Sequence, residues 1–202
     1  MPLNAPAADS APPDETPATG PAGTAVPRAS RALVALATLA FALSQANLAR
    51  LLAPLDPSIF ALQLAFTPEA FWRVVDAWGP TGVAVYRAHF TFDNLHPFLY
   101  GAFGYLAVSR TRLFPRSAGR LYHGVLLALP VAGLCDLAEN GIHAWLLAHA
   151  HGTGGLLVPL SGTCSLLKWG LALFFTLALA GRLLVVLTRP ATRPGPPAPP
   201  IP

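Results

Sequence analysis

"CDLAENGIHAW", residues 135–145, sets Asp136, Glu139, Asn140 and His143 inside a run that otherwise reads as a membrane-spanning helix. On a helix these four positions follow i, i+3, i+4 and i+7, so their side chains form one polar stripe. Two carboxylates facing lipid would be costly, and the stripe is therefore expected to point into a helix bundle.

The rest of the chain supports that setting. Of its 202 residues 53% are hydrophobic and 11% charged, where an ordinary soluble domain carries roughly 25% charged residues. Four apolar segments reach the roughly 20 residues a helix needs to cross a bilayer core: about 32–53, 90–108, 122–147 and 157–181, the last with room to run on to Leu187. Residues 1–29 and 189–202 are rich in Pro and Ala with few bulky apolar side chains, and both read as disordered tails. The expected fold class is all-α, a polytopic membrane protein with a four-helix transmembrane bundle over 30–188.

Arginine sets the expected orientation. Arg28 and Arg31 precede the first segment, Arg110, Arg112, Arg116 and Arg120 fill the loop between the second and third, and Arg182, Arg189 and Arg193 follow the fourth. The positive-inside rule makes all three groups cytoplasmic, with both termini inside a bacterial cytoplasmic membrane. Trp72, Trp78, Trp145 and Trp169 then fall on or near the outer side, where an interfacial aromatic belt would lie. A competing pattern is a signal peptide: Arg28 and Arg31, the apolar run from Leu33 to Leu43, and the small-residue site "SQA" at 44–46. Cleavage there would leave three spans; the long preceding region and the resumption of apolar sequence at Leu48 favour an anchored helix.

The net charge of +4 raises nucleic acid as a partner, but the thirteen basic residues lie beside apolar segments and form no patch with interleaved aromatics. Cys135 and Cys164 form no CxxC or zinc-finger spacing and read as buried small hydrophobes. In the loop after the first segment, "TPEAFWRVVDAWG" (67–79) has Thr67 as N-cap, Pro68 at the first helical position and Gly79 as a stop. Phe71, Val74, Val75 and Trp78 recur at i, i+3, i+4 and i+7, which predicts a short amphipathic helix on the membrane surface or over the bundle.

The second segment carries a matching stripe of Asp93, His96 and Tyr100, with Pro97 removing the donor that would reach the Asp93 carbonyl and so kinking the helix. With the second span running inward and the third outward, Glu139 lies about 9 Å below Trp145 and His96 about 10 Å below His89, at roughly 1.5 Å per residue. The two stripes can meet. Ser161, Thr163, Ser165 and Lys168 approach from the fourth segment and Gln45, Asn47 and Arg50 from the first. Lys168 is open to two readings, an inward ion pair or snorkelling to the interface beside Trp169.

Four functions fit this constellation. In a structural polar network, Lys168 or Arg50 pairs with Asp136 or Glu139. A lipid or small-molecule ligand site would open to the outer leaflet. A divalent metal site, for Zn, Mn or Fe, would take His96, Glu139 and His143 as ligands, with Asp93 or Asp136 as general base of a membrane hydrolase. A proton or ion pathway would use the same Asp, Glu and His side chains. His149 and His151, in a Gly-rich loop, read as solvated, and His123 lies at the far end of its helix.

The residues Trp78, Gly79, Gly82 and Tyr86, then Asp93, Pro97 and Tyr100, then Pro130 with Asp136, Glu139 and Asn140 form a pattern over about 65–180. In it the chain resembles a family of small uncharacterised bacterial integral membrane proteins with four spans. The resemblance implies that architecture and no activity. In bare chemistry the site is also similar to membrane hydrolases of the alkaline ceramidase type, whose set of histidines this sequence does not reproduce.

Overall fold

The computed structural model describes residues 28–188, so the expected tails, including Arg189 and Arg193, lie outside the described residues except where 28–29 open the first helix. The described residues form helices joined by short loops, without strands. Helix α1 spans Arg28–Leu52, α2 Ile59–Gln63, α3 Pro68–Asp93, α4 His96–Ser109, α5 Arg120–Ala148 and α6 Leu157–Thr188, with one 3-10 turn at Arg116–Ala118.

Three of these helices, α1, α5 and α6, are long and apolar enough to cross a membrane. The second expected span, 90–108, is not a single helix of that kind. It is divided at Asn94 and Leu95, leaving α4 with 14 residues. Pro97 is the physical reason: it sits in the first turn of α4 and has no N–H for the carbonyl four residues earlier. Asn94 and Leu95 keep right-handed helical dihedrals, so the hydrogen-bond ladder is interrupted while the chain stays close to its course.

Thr67 caps α3, its hydroxyl accepting from the Ala70 N–H at 3.2 Å. Gly79 breaks the helical path at φ 59° and ψ −173°, a conformation that suits glycine, and Pro80 restarts the helix. The amphipathic segment is thus the first half of α3, and its face of Phe71, Val74, Val75 and Trp78 is buried against the bundle. The second half runs from Pro80 to Asp93, of which the expected second span, starting at about 90, includes only the end.

Helix α5 is central, packed on α4 and α6, while α1 packs on α4 and α3 and has no extensive contact with α6. Small residues permit the close approach: a Cβ on Gly104 would stand 2.8 Å from Leu129 Cβ, and one on Gly133 3.1 Å from the Pro97 carbonyl oxygen. Two apolar clusters result. One joins Phe71, Trp72 and Tyr86 of α3 with Leu146, Leu147 and Val158; the other joins Tyr100, Ala107 and Val108 of α4 with Val125, Leu129 and Phe175. Along α5 and α6, and along the path from α3 into α4, the polar residues occupy the stretch between the two clusters.

Two tryptophans depart from the expected belt. Trp72 and Trp78 are buried, and their indole N–H groups donate to the carbonyls of Thr153 at 2.8 Å and Pro57 at 2.6 Å. They fasten connecting segments to the first half of α3. Trp145 and Trp169 remain exposed.

Candidate functional site

All four residues of the α5 stripe are buried, Glu139 and His143 completely. The helix turns that face inward because its neighbours on both sides offer polar partners. Lys168 of α6 places Nζ 2.8 Å from Asp136 Oδ1 and 2.7 Å from Glu139 Oε2, and is itself buried. Of the two readings of this lysine, the inward ion pair holds. Lys168 hydrogen-bonds to Asp136 and pairs with Glu139 as a shared cation.

The α3 and α4 stripe meets α5 in antiparallel order. Tyr100 O–H donates to Asp136 Oδ2 at 3.1 Å, Asn140 Nδ2 donates to Asn94 Oδ1 at 3.4 Å, and Tyr86 shares a 2.7 Å hydrogen bond with His143 Nδ1. His143 Nε2 is buried without a partner. Behind Asp93, the buried His89 places Nε2 3.4 Å from Oδ2, and its Nδ1–H donates to the Tyr86 carbonyl. His96 turns toward α1, where it shares a 2.9 Å hydrogen bond with Ser44 and stacks on Phe41.

Tyr86, His89 and Ser44 were missed as members of the site. For the first two a signal was present: 86, 89, 93, 96 and 100 advance by three and four residues in turn, the repeat of one helix face, and all five are buried. The expected span boundary at 90 cut this repeat in half. Ser44 lies in the small-residue stretch at 44–46, and nothing local in sequence pairs it with His96, 52 residues on.

Most other expected members stay apart. Arg50 is exposed and donates to Asn47 of its own helix at 3.3 Å, so it pairs with no site carboxylate. Thr163 hydrogen-bonds to a carbonyl of α6 itself, as do the buried Ser161 and Ser165, of which Ser165 also faces Glu139. His149 stacks on Trp145, and His151 contacts Asp76 at the surface at 2.8 Å. His123 bonds to the Gly119 carbonyl at the start of α5. The three candidate metal ligands have separate partners, and among the described residues no three His, Cys, Asp or Glu side chains group as a metal site.

Beside the ion pair lies a cavity of about 670 Å³, bounded by α1, the α2 segment, α4, α5 and α6. Asp93, His96, Tyr100, Asp136 and Lys168 line one part of it. Leu48 and Leu52 of α1, Leu129 of α5, and Phe175 and Leu179 of α6 line the rest, so the cavity follows α6 from Lys168 to Leu179, about 16 Å at 1.5 Å per residue. It occupies the space where α1 and α6 fail to pack on each other. Its volume is within the roughly 300–1,000 Å³ of small-molecule sites, and apolar walls with a few converging polar groups are their usual lining.

Comparison with protein-family models, with curated proteins and with solved structures finds no match to this chain.

Proposed function

We propose that the chain is a membrane protein whose cavity binds a lipid-like amphiphile, its head group at the Asp136–Lys168 pair and its apolar part along α6. The observation that carries this reading is the cavity itself, with buried charged groups at one part and aliphatic and aromatic walls over the rest.

In this reading the chain crosses a bacterial cytoplasmic membrane four times. The second crossing is made by α4 together with the second half of α3, divided at Asn94 and Leu95 where Asn140 supplies a side-chain partner. Broken helices are tolerated at membrane depth where the freed groups face protein or a cavity. Arg28 and Arg31, the arginines between α4 and α5, and Arg182 gather at one end of the bundle, which supports a cytoplasmic assignment for that end. Arg182 Nε–H also donates to the Leu113 carbonyl at 2.6 Å, joining α6 to the arginine-rich loop. The α2 segment and the first half of α3 then cover the outer end.

A second reading, a polar network that locks the helices, is favoured by a different observation: Tyr100, Asp136 and Lys168 join three helices through consecutive contacts. The two readings are compatible, since one part of the network lines the cavity. The hydrolase reading needs a converging set of metal donors, and the separate partners of His96 and His143 give it less support.

The test is lipid analysis by mass spectrometry of protein purified in a nonionic detergent, for wild type and for Ala172→Trp. Ala172 lines the cavity on α6, and an indole there would fill it. Wild type is expected to retain a lipid species near one per chain and the variant several-fold less at an unchanged helical content. Equal lipid in both would overturn the reading.

A further inference from the structure

If the cavity binds an amphiphile, the charge on its polar wall selects the head group; this step rests on the reading above. Three carboxylates, Asp93, Asp136 and Glu139, are buried within one cluster, and the cation among them is Lys168. Its Nζ already stands between two of the three. His89 Nε2 faces the third, 3.4 Å from Asp93 Oδ2, while the two carboxylates on Lys168 share that one cation. The nearer arginines do not correct this: Arg50 is bonded to Asn47 and exposed, and Arg87 donates to the Leu147 carbonyl. An uncompensated buried charge is penalised by several kcal/mol after relaxation.

Glu139 does not relieve this. It is fully buried, and the cation it faces is Lys168, whose Nζ, 2.7 Å from Oε2, is shared with Asp136. Glu139 itself is one lysine away from the cavity, whereas Asp93 and Asp136 lie on its wall.

We propose that the cavity selects amphiphiles with an ammonium head group, seated between the carboxylates of Asp93 and Asp136. Each carboxylate oxygen offers two acceptor positions, so Asp136 can accept from a ligand while holding Lys168 and Tyr100. The rings of Phe41, Tyr100 and Phe103 line the same region, and a desolvated ammonium is attracted to aromatic faces. An anionic head group meets the opposite situation. Lys168 is the only lysine or arginine on the cavity wall among the described residues, and its charge is already taken by two carboxylates.

The experiment compares dodecylamine, dodecanol and dodecanoate, which share a chain length and differ in head-group charge. Binding to the full chain in a nonionic detergent micelle at neutral pH is measured by calorimetry, with Ala172→Trp as the filled-cavity control. Dodecylamine is expected to bind at least ten-fold more tightly than dodecanol, and dodecanoate more weakly than either. Asp136→Asn and Asp93→Asn should each reduce the amine's advantage several-fold with dodecanol unchanged; if Asp136→Asn does not fold, Asp93→Asn decides. Equal affinity for amine and alcohol, or tightest binding of dodecanoate, overturns the proposal while leaving the cavity as a lipid site. Failure of all three to bind better than to Ala172→Trp would remove the amphiphile reading as well.

Discussion

Replacing Lys168 by methionine keeps most of the apolar stem of the side chain and removes its charge. At 2.8 and 2.7 Å from two carboxylate oxygens, each contact carries a gross attraction of about 6 kcal/mol at an effective dielectric near 20. Most of that is offset by the desolvation of three buried ions, so the gross figure is not what the variant loses. The loss is set by what remains: Asp136 and Glu139, both buried and now facing each other without a cation. Removing one partner from a buried pair destabilises by about 3–5 kcal/mol. For a chain of this size that is a drop in melting temperature of about 6–20 °C. The assay is thermal unfolding by circular dichroism in a fixed detergent, with a triple variant alongside, Lys168→Met with Asp136→Asn and Glu139→Gln. The triple variant removes the stranded charges and should recover most of the loss, because an apolar or neutral replacement of a whole buried ion group is often tolerated. A single variant as stable as wild type, or a triple variant no better than the single one, would refute the placement of Lys168 as the shared cation.

Three further outcomes follow from the geometry. Gly162→Ala would set a Cβ 2.9 Å from the Ala65 carbonyl oxygen, whereas Gly141→Ala meets nothing within 4 Å; melting should show a loss of about 1–3 kcal/mol for the first and no loss, or a small gain from helix propensity, for the second. Tyr86→Phe leaves His143 with neither ring nitrogen hydrogen-bonded, and equilibrium unfolding should register about 1–3 kcal/mol for that stranded buried group. Asp76→Asn removes the charge from a contact to His151 in which both side chains are about 60% exposed, so the same measurement should stay within about 0.5 kcal/mol of wild type.

The helices with long, predominantly apolar sequence were legible. The long runs around α1, α5 and α6 need only length and hydropathy, and the periodic spacing of 136, 139, 140 and 143 is a property of the helix that no partner can alter. The face of Phe71, Val74, Val75 and Trp78 was legible for the same reason. What failed was a hydropathy boundary. The segment before residue 90 contains Arg87, His89 and Tyr86, which lower its apparent hydropathy, yet two of these three are buried in the bundle. Tyr86 meets its partner His143 57 residues away, and no local window contains that information. Lys168 was ambiguous for a related reason, because a lysine beside a tryptophan fits an interface as well as an ion pair until Asp136 and Glu139 are known to face it.

In the proposed membrane setting there is little hydrophobic driving force between helices, and close packing of small residues with interhelical polar bonds would hold them together. Helices α4, α5 and α6 have both devices. Gly104 and Gly133 lie against Leu129 and Pro97, and Tyr100, Asp136 and Lys168 link the three helices in turn. Helix α1 meets this unit differently, through the Ser44–His96 hydrogen bond and the stacking of Phe41 on His96 and Phe103. The ion pair is therefore assembled without any contribution from α1, while the cavity has α1 as one of its walls. A ligand lodged between α1 and the other helices can touch Asp136 and Lys168 without taking apart the contacts that hold α4, α5 and α6. That division allows one set of buried charges to fix the bundle and also to face a ligand.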